Sequence, residues 1–432
     1  MAHATAQLTL LLSSLLVIIP AVDRRPQPQN AATLRPEQWR QDLQSLATEL
    51  PRRHKNLFFK TPREEFDRAV AELDAAIPAK ADHEIVVGLM RITALVGDAH
   101  TSLSFPGGSG AFRRYPLRLA WFRDGIYVTH VTAATFPSPR GLRGYRRALG
   151  ARLVQVGETA IEQVVAAVST VISHENEAWL REQSPSYLVI PEVLNALGVL
   201  PDMERGRFVF EDFSGQRLSL EFAPVSRSEP IEWLQAPLWT RVPLPLYRQK
   251  PDVFYWYQYL DDSQTLYFQY NRCANAPDLP FSTFAQELLA FLDTHPVARF
   301  VIDLRQNPGG NSSIISPLIS GLRSRTAINR RGHLFVIIGQ GTFSSGVNNT
   351  IDLRNQTNAI FFGGPTGGKP NSYGELGSFV LPNSGLTCFY STKFFQLVPG
   401  DPPSVFPDIT VELSSDDYLT GRDPVLEAIL AD

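Results

Sequence analysis

A serine hydroxyl is a weak nucleophile until a base takes its proton, and one stretch of this sequence sets two serines where a nucleophile would be well served. GTFSSGVNNTIDLRNQ places Ser344 and Ser345 after the apolar run HLFVIIG and before a helical pattern. At a helix N-terminus the backbone N–H groups are unpaired and the dipole favours a developing negative charge. Serine is also a preferred cap there. The stretch lacks the G-x-S-x-G elbow, because Thr342 and Phe343 stand two residues before the serines. A second turn, Arg305 to Asn311, follows the apolar run ARFVIDL. Its Gly309 and Gly310 would let backbone N–H groups approach a ligand closely, and without a ligand it reads as a helix entry capped by Asn311 or Ser312. Two residues compete as base. His100 lies in GDAHTS at the abrupt end of a helix, flanked by Asp98 and Thr101. Lys369 lies among small residues in GGPTGGKPNSYGE, where desolvation would lower its pKa. A satisfied structural histidine and an exposed loop lysine are the plain alternatives.

These residues need elements to hold them. Trp39, Leu43, Leu46 and Leu50 recur every three or four residues, as do Phe66, Val70, Leu73 and Ile77, and then Ile85, Leu89, Ile92 and Val96. The spacing predicts three amphipathic helices, the second opened by a Thr61-Pro62-Arg63-Glu64 capping box with proline at its first position. From Tyr115 the pattern becomes β-rich. YPLRLAWF and GIYVTHV alternate around an Asp124-Gly125 turn, GARLVQVGETAIEQVVAAV reads strand–turn–helix, and RFVFEDFSGQRLSLEF reads as a strand pair joined through Ser214-Gly215. From Tyr255 onward, near-continuous apolar strands alternate with helices, which argues for parallel β–α units. No repeat of fixed period occurs.

Bulk properties narrow the function. The 432 residues are 44% hydrophobic and 19% charged, with net charge −3, enough for two or three domains and unsuited to binding nucleic acid through phosphates. The two cysteines, Cys273 and Cys388, make neither a disulfide framework nor a metal cluster; they either pair once or stay as buried thiols. The apolar run Leu8–Val22 matches the core of a signal peptide better than a membrane span. It predicts an exported, periplasmic or secreted protein, with retention as a membrane tether as the alternative. DRRPQPQNAATLRPEQ reads as a linker. No metal or organic cofactor is expected.

Taken in order, several blocks resemble the tail-specific, or C-terminal-processing, serine peptidase family, which is related to the tricorn core. FVIDLRQNPGG resembles its strand and glycine turn, GTFSSG its T-x-S-x-(A/G) nucleophile motif, and FFGGPTGGKPNSYGE, LPNSGLTCFYSTKFF, FPDIT and GRDPVLEAIL its downstream blocks. GDAHTSL resembles the family's Asp-x-His-Thr segment. The resemblance implies a multi-domain α/β chain: a signal segment and linker over 1–34, an N-terminal helical domain over 35–112, a PDZ-like α+β domain over 113–245, and a crotonase/Clp-protease-like catalytic domain over 246–432. It implies hydrolysis of peptide or protein substrates, with Ser344 as nucleophile and Ser345 and Gly309 or Gly310 as oxyanion donors. His100 is the base implied by the tricorn-like branch, supported by Glu375; Lys369 is the base implied by the processing-protease branch. The same modules resemble the repeats of interphotoreceptor retinoid-binding protein. That likeness implies an apolar-ligand carrier, with PDVFYWYQYL and CFYSTKFF lining a groove rather than a core, or a peptide-docking scaffold.

Overall fold

The computed structural model describes residues 34–107, 111–132, 145–235 and 243–431. The expected signal segment and most of the linker lie outside them. Among the described residues, no helix is long and apolar enough to cross a membrane.

The three helices form as the spacing requires. Helix α1 (Pro36–Arg53) buries Trp39, Leu43, Leu46 and Leu50, and α3 (Asp82–Leu95) buries Ile85, Leu89 and Ile92. Between them α2 (Arg63–Ala76) buries Phe66 and Leu73. The expected capping box is absent. Pro62 is the N-cap, in extended conformation, and the Thr61 hydroxyl donates to the Leu95 carbonyl instead of accepting from the amides of α2. That bond ties the start of α2 to the end of α3. Just past α3, Gly97 takes φ +72°, where a Cβ would meet the Lys60 side chain at 2.4 Å. The helix stops there, and the chain turns through Asp98 and His100 into β1 (Ser102–Leu103).

An antiparallel sheet follows, built from β2 (Leu117–Phe122), β3 (Gly125–Thr132), β4 (Arg152–Val156), β5 (Gly206–Glu211), β6 (Arg217–Phe222) and β7 (Trp233–Gln235). Its order is β7-β3-β4-β5-β6, with β2 also paired to β3. Gly125, at φ +136°, already pairs with Phe122, so the loop before it is Arg123-Asp124. Helices α4 (Ile161–Ser169), α5 (Glu177–Tyr187) and α6 (Pro191–Ala196) pack with this sheet and with α3. The Asn176 side chain caps α5 by accepting from Trp179 N at 2.8 Å. Its amide donates to Thr366 O, Pro403 O and Ser404 Oγ at 3.2, 2.7 and 2.9 Å, which pins the α5 N-terminus to the C-terminal half.

That half holds a six-stranded sheet. The strands are β8 (Tyr255–Leu260), β9 (Thr265–Tyr270), β10 (Arg299–Asp303), β11 (Leu334–Ile338), β12 (Ile360–Gly363) and β15 (Ile409–Thr410), in the order β8-β9-β10-β11-β12-β15. The first pair is antiparallel and the others are parallel. Strands β9, β11 and β12 are buried along their whole length, as continuous apolar runs in a two-sided sheet should be. Leu266, Phe268, Phe300, Ile302 and Val336 face α7 (Phe281–Thr294), α8 (Ser316–Arg323) and α9 (Ser345–Gln356). The alternate residues Tyr267, Val301, Phe335 and Ile337 face α11 (Pro424–Ala431), which follows the short α10 (Ser415–Thr420). A long hairpin, β13 (Asn371–Val380) and β14 (Thr387–Gln396), pairs with β1 and shares one core with the N-terminal helices and the antiparallel sheet. Tyr255 and Trp256 of the aromatic run PDVFYWYQYL are buried core residues. Cys273 and Cys388 are both free and buried.

Candidate active site

The strands of a parallel sheet end in turns at one edge, and two of those turns meet here. After β11 the chain reaches Ser344, whose backbone lies at φ +50°, ψ −124°. That is strained for a residue with a Cβ. It gives the tight strand–turn–helix of a nucleophile elbow without the usual glycine pattern. The strain is held from several sides. Phe343 N donates to Asn307 O at 2.9 Å, Thr342 Oγ1 donates to Leu304 O at 2.8 Å, and Gly368 N donates to Thr342 O at 3.2 Å. A Cβ on Gly346 would stand 2.6 Å from Asn307 O, so this glycine permits the close approach.

The two serines part company. Ser345 is buried and its Oγ donates to Gly310 O at 2.7 Å, which joins the two turns. Ser344 Oγ lies 3.0 Å from His100 Nε2. The two turns also present amides. Gly309 N donates to Asn307 Oδ1 at 2.9 Å, so that group is already used. Cys273 bridges Gly309 O and Asn311 N on the parallel pattern, which turns the intervening Gly310 N–H the other way. Among the described residues, the Gly310 and Ser345 N–H groups have no intramolecular acceptor. A Cβ on Gly309 would lie 2.8 Å from both Ser344 Cβ and Ser345 N, so the two turns are in contact.

His100 comes from far upstream and is held by packing. Its ring stacks on Phe343 at 4.6 Å, and Phe343 stacks on Trp179 of α5 at 4.0 Å. Asp98 Oδ1 accepts the His100 backbone N–H at 2.9 Å and lies 3.7 Å from its Nδ1. Asp98 Oδ2 accepts from Thr101 Oγ1 and Ser391 Oγ, each at 2.6 Å, and sits 3.0 Å from His54 Nε2. Burial works against the charge on Asp98, but these donors and His100 hold its carboxyl far below the usual carboxylate range. Burial pushes His100 down while Asp98 and Glu175 push it up, and the net shift is upward. Glu175, in the bend before α5, is half-buried; burial and then the Asp98 charge raise it to about 7.

The other expected site residues stand apart. Lys369 Nζ pairs with Asp401 at 2.7 Å, and only its backbone N–H reaches the cluster, donating to Glu175 Oε2 at 3.3 Å. Glu375 is exposed, takes φ +57° and pairs with Lys393 at 2.6 Å, while its neighbour Gly374 packs near the His100 ring. Glu175 is the glutamate beside His100. No sequence pattern singles it out, because it lies in a bend with no periodicity. Asp98 was visible two residues before His100, and His54 and Ser391 carried no local signal.

Two cavities flank Trp179. One of about 370 Å³ is walled by His100, Phe343, Met90, Val171, Ile172 and Phe389, and one of about 710 Å³ by Trp121, Gln340, Gly341 and Pro308 among others.

No protein-family description and no curated protein matches the sequence. Solved structures do. Mature CPAF complexed with lactacystin overlays with a TM-score of 0.63 at 14% identity, covering 91% of this chain and 98% of that one. Mature CPAF without that ligand overlays at 0.60, also at 14% identity, covering 91% and 96%. A Parabacteroides merdae protein assigned as a peptidase overlays at 0.44 and 14% identity, covering 93% of this chain and 96% of that one. The chain has the mixed α/β fold of CPAF over nearly its whole length.

Proposed function

We propose that this chain is a serine-type peptidase of the tail-specific kind, acting through an acyl-enzyme on Ser344. The observation that carries this reading is the 3.0 Å contact between Ser344 Oγ and His100 Nε2, beside two unengaged amides. Ser344 Oγ attacks the peptide carbonyl carbon while His100 Nε2 takes its proton. The carbonyl oxygen becomes an oxyanion facing the Gly310 and Ser345 N–H groups, each worth roughly 3 kcal/mol of barrier. His100 then gives its proton to the leaving amine. Water, deprotonated by the same nitrogen, releases the acyl group and restores Ser344. Asp98 steadies the imidazolium as it forms.

His100 rather than Lys369 as base agrees with the tricorn-like branch of the resemblance. The apolar wall of the cavity beside His100 supports a substrate with an apolar side chain at the cleaved bond. The run Leu8–Val22 supports export to an extracytoplasmic space.

A broad fluorogenic peptide screen tests the reading. Ser344→Ala is expected to abolish hydrolysis while the chain stays folded. Lactacystin, a ligand of CPAF, or a peptidyl phosphonate is expected to label Ser344. Label on Ser345 would mean the wrong serine. His100→Ala is expected to lose at least about 10²-fold in kcat/KM, and Lys369→Ala little. Loss only in the lysine variant would transfer the base to Lys369. Tight retinoid or fatty-acid binding with no cleavage of any peptide would favour the carrier reading.

A further inference from the structure

The far side of the His100 ring is built unlike the side that faces Ser344. The side chain is 8% exposed, and its Nδ1 is buried with no hydrogen-bond partner among the described residues. Asp98 Oδ1, at 3.7 Å, is beyond hydrogen-bond reach. Asp98 is not free to swing closer, since the His100 backbone N–H, Thr101, Ser391 and His54 hold both its oxygens. Glu175 comes in from the bend before α5, anchored by the Lys369 backbone N–H. One donor atom from each of Asp98, His100 and Glu175 lies within 4.8 Å of the others. Two carboxylates therefore crowd one imidazole in a poorly hydrated space. Among the described residues no lysine or arginine pairs with either, because the Lys369 ammonium turns away to Asp401.

We propose that Asp98, Glu175 and His100 Nδ1 form a site for one divalent transition-metal cation, Zn²⁺ by its donor set, and that occupancy switches the nucleophile off. One imidazole nitrogen and two carboxylate oxygens, with a fourth position for water, suit Zn²⁺. Mg²⁺ and Ca²⁺ prefer six or more oxygens. Two carboxylates and a dication sum to neutrality, so the filled site carries no net buried charge. With bonds of about 2.0–2.2 Å, Asp98 Oδ1 and His100 Nδ1, 3.7 Å apart, can share one ion with Asp98 held where it is, so the inward shift falls on the Glu175 side chain, whose anchor is the single 3.3 Å bond from Lys369 N. The consequence at Ser344 is direct. A neutral imidazole that gives its Nδ1 lone pair to a metal carries its hydrogen on Nε2. That nitrogen then donates toward Ser344 Oγ and has no lone pair to receive a proton. The cation stops the reaction without occupying the substrate cleft.

The inhibitory half rests on the peptidase reading and the binding half does not, so two measurements separate them. Isothermal titration of ZnCl₂ into the full chain carrying Ser344→Ala, in non-coordinating buffer, is expected to show one tight site per chain. Adding Glu175→Gln or His100→Ala is expected to weaken it at least tenfold, and MgCl₂ should give no comparable heat. In the chain with Ser344 intact, Zn²⁺ is expected to lower kcat for peptide hydrolysis with little change in KM, and a chelator to restore it. Zn²⁺ affinity unchanged by Glu175→Gln, in a variant with an unaltered melting curve, would overturn the site. Tight binding with undiminished hydrolysis would overturn the switch. Binding lost with Glu175→Gln, in a chain that hydrolyses no peptide, would uphold the site and reject the peptidase reading. Should His100→Ala fail to fold, Glu175→Gln decides alone.

Discussion

His100 is pulled in two directions. Burial disfavours the imidazolium, while the carboxylates of Asp98 and Glu175 favour it and win, so its pKa is raised. As the proposed base, His100 works only when neutral. The acid limb of kcat/KM should therefore lie above the ordinary histidine value of about 6.5. The charged and titratable groups around the ring are Asp98 on its own segment, His54 behind Asp98, and Glu175 before α5. Asp98→Asn keeps the shape and one of the two acceptor oxygens but removes the nearest charge, which leaves burial dominant. The limb should then move to lower pH, and the plateau should fall by about 10²-fold as the imidazolium loses its stabilising partner. A pH–rate profile in chelated buffer reads both. A limb that stays put or moves upward would show that Asp98 is not the charge that governs His100.

Helix α5 is the element that reaches the site without supplying a reacting group. Asn176 pins its first turn to the C-terminal half, and Trp179, one turn on, stacks on Phe343, which stacks on His100. Trp179→Ala should cost about 3–5 kcal/mol of stability through the lost ring. It should also lower kcat more than KM, because Phe343 and His100 lose the surface that fixes their planes. Trp179→Phe should restore most of kcat; equal loss in both variants would point to general destabilisation rather than positioning. The helices and the buried strands were legible because their burial follows a local period, as in Trp39–Leu50 and in the uniform burial of β11. The choice of Ser344 over Ser345 was legible only through motif order. What was not legible depended on contacts distant in sequence. The Thr61 hydroxyl is taken by Leu95, thirty-four residues on, which no capping pattern records. Glu175 reaches His100 from a bend, and the Glu375 side chain is turned outward by a positive-φ irregularity in β13.

At the scale of the whole molecule, the glycine turn must be held against both the sheet and the C-terminal helix, and Arg305 does this. Its guanidinium donates to both Asp423 oxygens at 2.9 Å, just before α11, and its Nε donates to Asp303 Oδ1 at 3.1 Å at the end of β10. Asp303 is buried and also accepts from Tyr267 at 2.7 Å. The arginine side chain is 12% exposed, so water screens these charges little. Burial raises Asp303, and the two carboxylates hold Arg305 well above its usual range despite burial. Arg305→Met keeps the volume but leaves two buried carboxylates without a countercharge. Removing one partner of such a network costs about 3–5 kcal/mol. Urea denaturation should show that loss, and adding Asp423→Asn should recover part of it, since one of the stranded charges is then gone. Hydrolysis should fall as well, because Arg305 opens the segment that carries Gly309 and Gly310 to Ser344. A single variant within about 1 kcal/mol of the parent, or a double variant no more stable than the single, would show that the turn is held by its backbone bonds alone.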